Sequence, residues 1–163
     1  MRYLTILFLL LFTHRKAAAQ SHTEGFNPGA THHTDSACFT RLCDLRYVSP
    51  QYWQVNAKNT KSSTQILKEW KAFYTAPDTF RQSGFLTIRF IVNCKNEPCC
   101  FYFYEMNDKY QPIKFSQIVK DKMQVFVEQL GGWKSVNYQD APANYYYYLN
   151  FNIQNGAFKS VSP

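Results

Sequence analysis

The stretch "ANYYYYLNFNIQNG", residues 143–156, sets four tyrosines in a row and then alternates apolar residues with asparagine. That alternation has the period of two of a strand with one buried side. Tyr145, Tyr147, Leu149, Phe151 and Ile153 fall on one side, and Tyr146, Tyr148, Asn150 and Asn152 on the other. The first set is the more apolar and is expected to face a core, which turns the amphipathic rings of the second outward. Asn155 and Gly156 then spell a tight turn, before a short tail around Phe158 and Val161.

Upstream the period changes. Phe115, Ile118, Val119, Met123, Phe126, Val127 and Leu130 form the apolar stripe of a helix, with Lys114, Lys120 and Lys122 read as its solvated face. Gly131 and Gly132 stop it, since glycine adopts the left-handed conformation that helix ends prefer, and a loop holding Trp133 and Pro142 follows. Before the helix, Leu86, Ile88, Phe90 and Val92 alternate with Phe85, Thr87, Arg89 and Ile91. The turn segment "CKNEP" (94–98) and the aromatic run "CCFYFYEM" (99–106) complete a hairpin. Further back, Ser62 or Ser63 caps a helix carrying Ile66, Leu67, Trp70, Phe73 and Tyr74 on one face. Residues 38–55 read as loop or short elements packed on the main domain. The polar, turn-rich "SHTEGFNPGATHHTDS" (21–36) reads as a flexible lead-in.

The first residues set an expected compartment. Arg2 precedes "LTILFLLLFT" (4–13), an uncharged apolar core, and Ala17, Ala18 and Ala19 supply small residues for cleavage; this is the form of a secretory signal over residues 1–19. The apolar stretch is shorter than the roughly 20 residues a spanning helix needs, so no stable membrane span is expected. Cleavage removes three basic residues and no acid, which takes the formal charge from +7 to +4. The expected organisation is signal (1–19), lead-in (20–37), an extension with one helix (38–83) and a C-terminal unit (84–163). Its class is α+β, a small antiparallel sheet with a helix packed on one face, plus the N-terminal helix.

Export permits disulfides among Cys38, Cys43, Cys94, Cys99 and Cys100. Spacing leaves their connectivity open, with Cys38–Cys43 and Cys94–Cys99 as local candidates. Zinc is not expected: His32 and His33 lie in the polar stretch, and the cysteine spacings match no common metal site. Catalysis is not expected either, because the acids are scattered and no Ser/His/Asp or Cys/His arrangement forms; no cofactor is implied. The weak charge and export argue against nucleic acid as a partner.

The order of strand, turn, strand, helix, Trp loop and strand resembles the C-terminal domain of the TonB family, periplasmic energy-transducing proteins of Gram-negative bacteria. The segments that carry it are "GFLTIRFIVNCKNEPCCFYFYEM", "LGGWKSVNYQDAP" and "YYLNFNIQNG", within residues 84–161. Gly84 stands at the glycine opening the first strand, Trp133 at the tryptophan after the helix, and Phe151 with Ile153 at the apolar pair before Asn-Gly. Asn96 replaces the usual turn glycine, and the long proline-rich spacer and uncleaved anchor of the transducers have no counterpart.

The resemblance implies a periplasmic module whose last strand, Tyr145 to Ile153, is a sheet edge that captures an extended peptide of an outer-membrane receptor or other envelope protein by strand addition. Outward positions of neighbouring strands adjoin, so Tyr146, Tyr148, Asn150, Asn152, Tyr102, Tyr104 and Arg89 are the expected partner-binding residues. Two other readings compete: residues 38–75 cover these rings as ordinary core, or the aromatic edge makes a homodimer.

Overall fold

The computed structural model of the protein describes residues 30–32, 37–43 and 49–163. The expected signal segment lies outside them, as does most of the expected lead-in; within the latter, Ala30–His32 forms a short strand, β1, and at its end Ala37–Thr40 forms a single helical turn, α1, that runs into the extension. Then follow α2 (Ser63–Phe73), β2 (Gly84–Val92), β3 (Pro98–Met106), α3 (Gln117–Leu130), β4 (Val136–Tyr138), β5 (Ala141–Ala143), β6 (Tyr145–Gln154) and β7 (Ala157–Ser162). The five-stranded antiparallel sheet has the order β1-β3-β2-β6-β7.

Alternation decides which way each strand faces. Leu86, Ile88, Phe90 and Val92 are buried with Phe101 and Phe103 of β3 and all five inward residues of the tyrosine run. The β2–β3 turn has Asn96 at φ 66°, a left-handed conformation that asparagine tolerates far better than most residues. One bulge interrupts the pair: Cys100, at φ 58°, and Phe101 together oppose Phe90, shifting the register between Arg89 and Ile91. Gly84 is required where it stands, since a Cβ there would lie 2.1 Å from the Met106 carbonyl oxygen.

The tyrosine strand is not an edge, which corrects the expectation. β6 pairs with β2 along Tyr145–Ile153, and on its other margin β7 pairs from Asn150 to Gln154. Beyond β7, the loop before α2 takes over: the Tyr146 amide donates to the Pro50 carbonyl at 2.8 Å, and the Tyr52 amide donates to the Tyr146 carbonyl at 2.9 Å. The cause lies in the tail. Asn155 and Gly156, at φ 49° and 79°, close a two-residue hairpin loop, and Phe158 and Val161 are then drawn into the core. Trp133's loop also holds a hairpin, β4–β5, turned at Gln139 and Asp140.

Both longer helices cover the inward side of the sheet. Ser62 caps α2 by accepting from the Gln65 amide at 3.2 Å, and Trp70, fully buried, is the hub of the aromatic core: it stacks on Tyr74 at 4.9 Å and meets Phe158, Phe126 and Phe151 at 5.0, 5.3 and 5.7 Å. In α3 the stripe is narrower than expected. Val119, Met123, Phe126, Val127 and Leu130 are buried, whereas Ile118 is 65% exposed, because it sits about 100° around the helix from Val119.

Lys120 is not on the solvated face. Its ammonium is buried 3.0 Å from Oε1 of Glu105, the third inward residue of β3, and the Phe115 amide donates to Oε2 of the same carboxylate. An inward carboxylate needs such partners to be tolerated in a core.

The disulfides are Cys38–Cys100 and Cys43–Cys94, with Cα separations of 5.0 and 6.0 Å, rather than the two local pairs. The segment 37–43 lies against the outward side of β3, which sets Cys38 beside the bulge at Cys100 and Cys43 beside the hairpin turn. Cys99 remains a buried thiol.

Candidate interaction face

With both longer helices on the inward side, the outward side of the sheet forms a surface whose rows follow from the register. Arg89 has Tyr102 on β3 and Tyr148 on β6 as direct neighbours; Thr87 has Tyr104 and Asn150; Phe85 has Met106 and Asn152. The structure therefore brings the expected residues Tyr102, Tyr104, Tyr146, Tyr148, Asn150, Asn152 and Arg89 onto one face, each half-buried. β7 extends it with Ser160 and Ser162.

Its two ends differ. At the hairpin-turn end, Cys38, Ile91, Cys99 and Cys100 make a small second core, with Leu42, Tyr102 and Tyr146 packed against it. The reading that residues 38–75 cover the rings is thus met at this end. The Arg89 guanidinium lies over the Tyr146 ring, 4.1 Å from its centre. At the other end Phe85 stacks on the exposed Tyr110 at 5.5 Å. A cleft of about 350 Å³ opens there among Phe85, Asp108 and Asn152–Asn155. In the middle row the Thr87 hydroxyl donates to Asn150 Oδ1 at 3.1 Å.

Two residues extend the face beyond what the sequence suggested. Tyr52, held against β6, meets the Tyr147 and Tyr148 rings at 4.7 and 5.6 Å, and Trp53, 59% exposed, packs edge-on against Tyr52 at 5.2 Å. Their signal was the aromatic pair directly after "SPQ" in a segment otherwise read as loop; no periodicity ties that pair to a distant strand.

The hydroxyls titrate late. A hydrogen bond to Tyr148, with partial burial, pushes the Tyr52 phenol up to about 12, and burial pushes Tyr145 up to about 12 while its hydroxyl donates to the Lys134 carbonyl at 3.0 Å. Burial also raises Tyr147 and Tyr74. Below pH 10 folded and unfolded chains both keep these protons. Between pH 10 and 12 the unfolded chain loses them first, so stability falls with rising pH, by roughly 2–3 kcal/mol for the fully buried Tyr145 alone. Tyrosinate absorbance should therefore include a late rise, above pH 10, coincident with loss of the folded circular dichroism signal. A single titration near pH 10 with the fold intact would contradict this burial.

Among the described residues no group of three or more His, Cys, Asp and Glu side chains converges, and no helix is long and apolar enough to cross a membrane. Comparison with protein-family models, with curated proteins and with solved structures gives no match for this chain.

Proposed function

We propose that this chain is an exported, non-enzymatic interaction module that meets a protein partner through the outward face of its sheet. The observation that carries the proposal is one face of four tyrosines and an arginine, set in register and half-exposed, on a sheet whose other face already buries the core. Tyrosine and arginine are the residues most enriched where binding energy concentrates, because they offer large contact area and directed donors at modest rotamer cost.

The sequence resemblance to the TonB C-terminal domain is what suggests the partner class in this reading, an outer-membrane receptor or other envelope protein of the periplasm, met in TonB-linked transport. Mode of contact is where the proposal departs from that family. The margin of β6 is taken by β7 and by Pro50–Tyr52. The outer margin of β7 is a poor template for strand addition: it is six residues long, it carries Lys159, and it is bulged against β6. Recognition therefore passes from the strand's edge to the sheet's face. Self-association through this face is the weaker reading, since stacking two copies would bring two Arg89 side chains together across a surface with no acid at the outward positions of its strands.

Titrating the purified chain with amino-terminal peptides of envelope receptors tests the reading. Amide signals of Arg89, Tyr102, Tyr104 and Tyr148 and the ring signals of the three tyrosines are expected to shift, and Tyr104→Ala with Tyr148→Ala to weaken binding about tenfold or more, each such factor being about 1.4 kcal/mol, with little change in melting temperature. Shifts confined to the α2 and α3 surfaces would reject the face.

A further inference from the structure

We infer that the outward face recognises a carboxylate, presented by an acidic residue in an extended, apolar-flanked segment of the protein partner, with Arg89 as its clamp. This rests on the face reading above and adds the chemistry of what the face selects.

Arg89 is the single charge among the outward strand positions of β2, β3 and β6, which otherwise hold aromatic, aliphatic, cysteine, threonine and asparagine residues. Its Cζ lies over the Tyr146 ring, 4.1 Å from the centre, a cation–π contact that spends no N–H donor on an acceptor atom. That contact leaves the N–H edges, the groups that form the two-pronged bond to a carboxylate, and no ion pair engages Arg89 among the described residues. The described acids at its two ends, Asp108 by Phe85 and Glu97 bonded to Asn93 in the hairpin turn, each lie beside a residue four positions, or about 13 Å, along β2 from Arg89.

The surroundings favour one carboxylate rather than a polyanion. Tyr102 and Tyr148 flank the arginine on the adjacent strands, which holds the side chain in place before binding and lowers the local dielectric around an incoming anion. A second donor stands one row away. Asn150 Oδ1 accepts from Thr87, so the Asn150 amide directs its NH₂ as a donor. A polyanion such as nucleic acid would need several cations spread along a track, and the outward strand positions offer one. Rings around a central arginine also keep water from the pair, as a surrounding shell does for a strong contact.

The test uses the full chain, ¹⁵N-labelled, and two blocked pentapeptides as probes, acetyl-Thr-Val-Glu-Val-Thr-amide and its Gln twin. The Glu peptide is expected to shift the Arg89 Nε–Hε signal and to bind about fivefold or more tightly than the twin. That advantage should shrink with added salt and vanish in Arg89→Gln. Arg89→Lys, which keeps the charge and loses the fork, should retain part of it. Melting temperatures of both variants serve as the fold control. Equal binding of both peptides to the face would overturn the carboxylate inference, and a Glu preference that survives in Arg89→Gln would overturn Arg89 as its clamp; either leaves the face reading standing. Peptide-induced shifts absent from the face altogether would count against both.

Discussion

Replacing Glu105 by Ala is expected to destabilise the protein by about 3–5 kcal/mol, the largest effect of any single polar substitution in the described residues. Both partners are out of water: the Glu105 side chain is fully buried and that of Lys120 is 5% exposed. Truncation leaves an ammonium without a counter-charge between β3 and α3, and strips the Phe115 amide of its acceptor. Lys114 is a weak substitute, being 3.7 Å from Glu105 and 64% exposed, so Lys114→Ala should cost under about 1 kcal/mol. The double change Glu105→Gln with Lys120→Met should recover most of the loss, since no charge is then stranded. Urea unfolding midpoints of the variants check this. A loss below about 1 kcal/mol for Glu105→Ala would mean that the pair is solvated and that α3 sits differently on the sheet.

Opening the disulfides is the second large effect. Cys43–Cys94 and Cys38–Cys100 join residues 51 and 62 positions apart, and a loop of that size corresponds to about 4 kcal/mol of restrained unfolded-state freedom. The loops are nested, so while one bridge remains the other restrains only the roughly ten residues between them, and each single removal costs less than this figure. Cys43→Ser with Cys94→Ser should lower the melting temperature and speed proteolysis within residues 39–43, whose remaining covalent tie to the sheet is Cys38–Cys100. Cys99 reports the same event. Burial keeps its thiol above the ordinary cysteine range, so the oxidised protein should resist thiol reagents and react only once the bridges open. Fast labelling of the oxidised protein would contradict the packing of 37–43 on the sheet.

Strand faces and helix stripes were legible in the sequence because period is a local property. The alternation in β2 and β6 predicted which residues are buried there, and α3 ends at Gly131–Gly132 as expected, both at positive φ, although Gly131, at φ 61° and ψ −169°, is extended rather than left-handed helical. Neighbour relations were not legible. Nothing in "YYYYLNFNIQ" says whether one strand or two will flank it, and β7, which decides the matter, hides its alternation: Lys159 falls at the register shift between Phe158 and Ser160, so its buried residues are spaced by three. A charged residue on a helix reads as surface, which misplaced Lys120. The inward phase of Glu105 with Phe101 and Phe103 was the available hint that a cation must come in from the helix. Disulfide partners are set by which outward surface the 37–43 segment covers, a tertiary fact that spacing does not carry. The face itself was readable, since outward positions of paired strands must adjoin; its extension by Tyr52 and Trp53 was not.

The claim on which the rest depends is that the tyrosine strand lies inside the sheet, leaving its face rather than its edge for recognition. Amide hydrogen exchange across residues 145–162 in the free, oxidised protein tests it most directly. In phase with Tyr146, Asn150 and Asn152 turn their backbone groups toward β7, so their amides should exchange as slowly as those of Phe90 and Tyr104, which face paired neighbours inside the sheet. Rapid exchange at Asn150 and Asn152 beside slow exchange at Leu149 and Phe151 would mean an open margin on β6, and would return the account to edge pairing.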